Sequence, residues 1–291
     1  MITTLRPLPD TITIHKGCHE PGDPSKGDPA CLLELVSWVA GEPWSDHPEC
    51  VSPILGAFGR QLNDRLPDTK RQQLRPLIPR LVGTAGDGHD EARGYLALDW
   101  LIRTCTPAWL DLAGLSVEAD ELRGLRRIVD LAAAQSAGPV VRQARDRAAA
   151  GWNAAWNTAR DAPWDWDAAR GAAWKASWVA TWGDSWAYAE DVPMPVAMAA
   201  AWYTARNAAL IAAQGAAWDD AREAARGAAW DAAREAARGA AWDDAREAAR
   251  GAAWDAALIA ARKTLAPTDR QLHDSAIALL KAMINPPEVA T

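Results

Sequence analysis

Four near-identical copies of a twelve-residue unit fill residues 215–262: GAAWDDAREAAR, GAAWDAAREAAR, GAAWDDAREAAR and GAAWDAALIAAR. Repetition of this quality has to be read before anything else in the chain. Nearly every residue in it is a strong helix former, so each copy predicts a helix. At about 100° per residue, Ala217, Trp218, Ala221, Ala224 and Ala225 share an arc of about 120°. Gly215, Asp219, Asp220, Arg222, Glu223 and Arg226 take the opposite side. One copy is therefore amphipathic, but twelve residues advance a straight helix by about 120°. Trp218, Trp230 and Trp242 then point three ways. An effective period of 4.0 exceeds the roughly 3.67 of right-handed coils, which excludes one smooth coiled coil. A continuous helix over 195–262 would be about 100 Å long, too long for one compact domain. The expectation is helical segments of one or two copies, reset at Gly215, Gly227, Gly239 and Gly251 and packed side by side as a solenoid-like array.

Tryptophan dominates the same region. Thirteen of the seventeen Trp fall in 152–254, with Trp174, Trp178, Trp182 and Trp186 at four-residue intervals and Trp218, Trp230, Trp242 and Trp254 at twelve. One layer of Ala-rich helices shelters few such side chains, so these eight are the candidate interaction residues, for self-association or a protein partner. Arg four residues from Trp allows guanidinium–indole contact. Interleaved Trp and Arg would also suit stacking on single-stranded nucleic acid. Nine Asp/Glu against seven Arg across 215–262 argue against that. The whole chain carries −7, spread as −4 over 1–117 and −3 over 118–291, so no half has the basic excess that phosphate neutralisation needs. No run of 18 apolar residues and no leader-like N-terminus is present, which predicts a cytoplasmic protein with neither a membrane nor a nucleic acid as partner.

The composition divides near Leu115. Residues 1–115 read as a mostly helical module, and 116–291 as the Ala/Trp-rich helical region; the fold class is all-α. Thr11–Ile14 alternates like a lone strand. Leu32, Leu35, Val36 and Val39 place a helix at 30–40 stopped by Gly41, and Pro53 starts a second running to about Arg65. Short helical pieces follow at 69–74 and 77–82. A stripe of Leu98, Leu101, Ile102 and Cys105 is ended by Pro107. Further helices are expected at 118–136, 139–161, 164–189, 195–262 and 268–284, broken at Gly138–Pro139, Pro163, 191–195 and Pro267. In the last, Leu272, Ala276, Leu279, Leu280 and Met283 share a face that should dock on the body.

Candidate chemistry lies in the first module. His15-x-x-Cys18 and His47-x-x-Cys50 are two identical pairs, and two His with two Cys suit tetrahedral zinc. Ordinary buried thiols and surface imidazoles are the plainer reading of the same residues. Asp46, His47 and Cys50 contain the residue types of a thiol enzyme, although the Asp and His are chain neighbours, whereas such partners usually come from distant segments.

Five stretches carry a resemblance: GEPWSDHPECVSP (Gly41–Pro53), LNDRLPD (Leu62–Asp68), PLIPRLVGT (Pro76–Thr84), DWLIRTCTPAWLDLAGL (Asp99–Leu115) and LAPTDRQLHDSAIALLKAMI (Leu265–Ile284). They resemble a family of proteins of actinobacteria and their phages in which these motifs flank a variable Ala-rich region. No activity, fold or cofactor comes with that resemblance. The sequence therefore predicts a non-enzymatic interaction protein, with a zinc- or thiol-dependent function in residues 15–50 as the alternative.

Overall fold

The computed structural model describes residues 5–160 and 242–287. The expected helix at 164–189, the first part of that at 195–262 and the repeat copies before Trp242 lie outside the described residues. The fold is all-α, with no strand among the described residues. Its described residues divide into two compact units, 5–100, 126–136 and 271–287 in the first, and 101–125, 137–160 and 242–270 in the second. The division is thus discontinuous in sequence rather than a single cut near Leu115.

The first unit is built around helix α1, Leu32–Ala40. All of its residues except Trp38 are buried. Gly41 ends it in the left-handed region (φ 74°), a conformation that disfavours any side chain, while its N–H satisfies the Ser37 and Trp38 carbonyls. Helix α2, Pro53–Arg65, starts at a Ser52 cap, and Pro53 fits its first turn. A run of short pieces follows: α3 (Asp68–Arg71), a 3-10 stretch (Gln72–Leu77) that contains Pro76, and α4 (Ile78–Leu81) with Pro79 in its first turn. Helix α5, Asp90–Trp100, completes the N-terminal set. Leu32, Leu33, Leu35 and Val36 meet Leu55, Leu62, Leu74, Leu77, Ile78 and Leu81 in one core.

The expected strand at 11–14 is corrected. These residues alternate as the sequence implies, with Thr11 and Thr13 exposed and Ile12 and Ile14 in the core, but they pair with no strand. The Gln72 side chain accepts the Ile14 N–H and donates to the Ile14 carbonyl, both at 2.9 Å. A carboxamide thus takes the place of a neighbouring backbone.

Helix α9, Trp242–Ile284, supplies the last wall of this core. Leu272, Ala276, Leu279, Leu280 and Met283 are all buried, and so are Ile277 and Ile284. The second unit contains a π-helical turn (Leu101–Cys105), α6 (Thr106–Leu112) and α7 (Ser116–Gly124), with α6 and α7 packed together. Arg123 on α7 reaches Asp111 on α6. Helix α8, Leu131–Arg160, begins in the first unit and continues in the second.

Four expected helix boundaries are corrected, three of them at prolines. Pro107 does not end the stripe before it: a π turn shifts the hydrogen-bond register and α6 carries on through the proline. The helix expected at 118–136 is instead two, because Ile128 turns inward and its N–H binds Asp99 Oδ1 at 2.8 Å. Asp130 then caps α8 by accepting the Ala133 N–H at 2.7 Å. Helix α8 runs through Gly138 and Pro139. The lost hydrogen bond is offset by a buried stripe of Ala137, Val141, Ala144 and Ala148. Helix α9 runs through Pro267 likewise, between buried Leu265 and Leu272.

The reset expected at Gly251 is also absent. Helix α9 carries the third copy from Trp242, all of the fourth, and the C-terminal motif without interruption. A helix-interior Gly costs roughly 1 kcal/mol against Ala, so Gly251→Ala should stabilise α9 by about that amount. A rise of about 2–4 °C in the melting of this segment is expected for a chain of this size. A drop would restore a break at Gly251.

Candidate functional site

The loops at 15–31 and 42–52 flank α1, and they hold the His and Cys residues singled out by sequence. They do not assemble a zinc site. His15 is exposed, and its ring sits edge-on to His19 with centroids 5.9 Å apart. Cys18 is exposed. His47 bonds its own neighbour Asp46, Nδ1 to Oδ1 at 2.6 Å, at the surface. Cys50 is half-buried, with its carbonyl accepting from Gly83 and Ala85. Among the described residues, no group of three or more His, Cys, Asp or Glu is placed to share a metal ion. Two-residue spacing made each pair plausible, but each imidazole is turned toward a partner within its own loop.

The thiol-enzyme constellation fails on electrostatics as well. Burial, with the Glu42 carboxylate beside it, pushes the Cys50 thiol up to about 11. Burial, with Glu34 nearby, pushes Cys31 up to about 12. The thiolate is the nucleophile, and at pH 8 such groups hold about a thousandth or less of it. At pH 8 an alkylating reagent should therefore modify Cys18 first, with Cys31 and Cys50 reacting only as the chain unfolds. A chelator should leave both the thiol count and the melting temperature unchanged. Release of Cys18 and Cys50 together on chelation would reinstate the metal.

What these loops do contain is a buried fastening that the sequence reading missed. Glu34 is 1% exposed. It accepts the His19 N–H at 2.6 Å, His19 Nδ1 at 2.9 Å and the Cys31 N–H at 2.7 Å. Cys31 Sγ in return accepts the Glu34 N–H at 3.4 Å, which makes a capping box with sulfur in place of a hydroxyl. Trp44 Nε1 closes the cluster on the His19 carbonyl at 2.9 Å. The signal was present as Cys31-x-x-Glu34 ahead of an apolar run. These hydrogen bonds all run within the protein, and the cluster ties the loop to α1.

A second polar centre surrounds Arg93, which is wholly buried. Its Nε donates to the Met283 carbonyl at 2.9 Å, and its Nη1 to Thr84 O at 3.2 Å. Asp87 takes both remaining edges, at 2.7 and 2.5 Å, and Asp90 a third contact at 3.1 Å. Ser52, the cap of α2, also donates to Asp90. The guanidinium thus joins the 83–89 turn, α5 and the last turn of α9. Sequence offered only an Arg three residues beyond an Asp on a helix, a pattern shared with many surface ion pairs.

No family model, no curated protein and no solved structure matches this chain.

Of the Trp residues singled out for interaction, Trp242 and Trp254 lie on α9. Trp174, Trp178, Trp182, Trp186, Trp218 and Trp230 lie outside the described residues. No helix among the described residues is long and apolar enough to cross a membrane.

Proposed function

We propose that this is a non-enzymatic structural or interaction protein that uses its Trp-rich helical faces to bind copies of itself or a protein partner. The observation that carries the reading is the spacing of Trp174, Trp178, Trp182 and Trp186 and of Trp218, Trp230, Trp242 and Trp254 on a sequence of helix formers. Two further findings support it. The loops that offered chemistry are occupied by internal bonds, and their half-buried or buried thiols are held protonated. The first unit has a closed apolar core of its own, leaving association to the repeat region. In this reading the partner is a protein rather than nucleic acid, the compartment is the cytoplasm, and the repeat copies stack as an array. The N-terminal motifs belong with those of the actinobacterial and phage proteins they resemble.

Sedimentation of the full chain at tens of micromolar tests this. A mass that is a multiple of 31.3 kDa is expected, with Trp emission blue-shifted by burial. A strict monomer with the same blue-shifted emission contradicts self-association.

A further inference from the structure

The fourth repeat copy departs from the other three at two adjacent positions. Arg222, Arg234 and Arg246 give way to Leu258, and Glu223, Glu235 and Glu247 give way to Ile259. Both replacements fall inside α9. A single exposed isoleucine is ordinary on a protein surface. Here, however, it stands where every other copy has a charge, and it is 65% exposed, so it gains little shelter within its own chain.

The exchange also changes the charges around it. In the third copy Asp243 has Arg246, and Glu247 has Arg250, at the i, i+3 spacing that suits ion pairs on a helix. In the fourth, Asp255 and Arg262 have no opposite charge three or four residues away in either direction. Asp255, Leu258, Ile259 and Arg262 recur at i, i+3, i+4 and i+7, which places all four on one face. Residues 255–262 read Asp-Ala-Ala-Leu-Ile-Ala-Ala-Arg, a pattern that is self-complementary about its midpoint. Two such helices laid antiparallel set Leu258 against Ile259 of the second copy and Asp255 against its Arg262, each twice over. A two-fold contact has this form, because the same patch must complement itself.

We propose that residues 255–262 of α9 are a self-recognition site whose occupant is the same segment of a second copy of this chain. The two segments run antiparallel, in a register fixed by two Asp255–Arg262 pairs. This rests on the self-association proposed above and deepens it. The contact is too small to hold two chains by itself; it sets the direction and register of helices that the Trp faces bring together, which is what charge complementarity does best.

The test is sedimentation equilibrium on full-length D255R, R262D, the double variant D255R/R262D, and an equimolar mixture of the two single variants. Each single variant sets like charges against each other twice, and association roughly tenfold weaker than that of the native chain is expected. The double variant and the mixture both restore opposite charges across the contact, and both are expected within about threefold of the native chain. Recovery on mixing can come only from pairing between chains, so an effect confined to one helix does not imitate it. I259E, which returns the residue of the other copies, should weaken association with unchanged helical circular dichroism. Single variants that associate as strongly as the native chain overturn the site and leave the Trp reading standing. That is also the result if the segment pairs instead with Ala208–Ala213, where the same six residues are flanked by Asn207 and Gln214. A double variant and a mixture as weak as the single variants overturn it as well. A native chain that is monomeric throughout removes the self-association itself, and this contact with it.

Discussion

Replacing Arg93 with Met should destabilise the first unit by about 3 kcal/mol. Breaking a buried ion pair by removing one partner typically costs about 3–5 kcal/mol, because the other charge is left uncompensated. Here the lower end is appropriate. The Asp87 and Asp90 side chains are 25% and 44% exposed, so water recovers part of their solvation. The Met283 and Thr84 carbonyls gain no such relief. Arg93→Lys should rescue little, since one ammonium cannot span a backbone carbonyl on α9 and both edges of Asp87.

The same contact predicts an acid response. The Arg93 hydrogen bonds hold the Asp87 carboxyl below its ordinary value, against a smaller opposing effect of burial. A depressed carboxylate contributes stability that is present above its unfolded value, near pH 4, and is lost as pH falls through the lower folded value. Melting at pH 7 and pH 3 should therefore show a larger acid loss for the native chain than for Arg93→Met. Equal losses would mean that Asp87 does not report on Arg93.

Truncation after Arg270 should abolish folding of the first unit altogether. It removes Leu272, Ala276, Ile277, Leu279, Leu280, Met283 and Ile284 from a core otherwise made by residues 12–81. Single large-to-Ala changes at such sites cost about 2–5 kcal/mol each. A typical domain has only about 5–15 kcal/mol in total. Leu280→Ala alone should cost about 3 kcal/mol with the fold retained, which separates a weakened core from a missing wall. Proteolysis checks the truncation: α1 and α2 should become rapidly cleaved. Retention of a cooperative melt with α1 protected would show that residues 5–136 close their own core.

Local features were legible where one rule acted alone. The apolar spacing of Leu32, Leu35, Val36 and Val39, with Gly41 behind it, located α1, and Pro53 located the start of α2. The face of Leu272, Ala276, Leu279, Leu280 and Met283 identified the docking surface of the last helix. Expectations failed where tertiary packing overrode a local breaker. Pro107, Pro139 and Pro267 all sit inside or against continuing helix, because neighbouring buried side chains outweigh one lost hydrogen bond. Ile128 shows the reverse, a break after Gly124 that Asp99 holds from 29 residues away.

The polar sites were the least legible. His15, Cys18, His47 and Cys50 have metal-like spacing, yet spacing says nothing about where a ring turns. The adjacent Asp46 binds the His47 imidazole, and the His15 ring packs edge-on against His19 four residues on. The residues that fasten the fold, Glu34, Asn63, Gln72 and Arg93, act over 15 to 190 positions of separation and share no motif.

On the proposed function, the repeat Trp side chains make the protein associate while the first unit folds without them. Sedimentation equilibrium on the native chain and on a variant with Trp218, Trp230, Trp242 and Trp254 all changed to Ala measures this directly. An oligomer is expected for the native chain of 31.3 kDa and a monomer for the variant, with the melting of the first unit unchanged. A variant that associates as strongly as the native chain, or a native chain that is monomeric throughout, would contradict it.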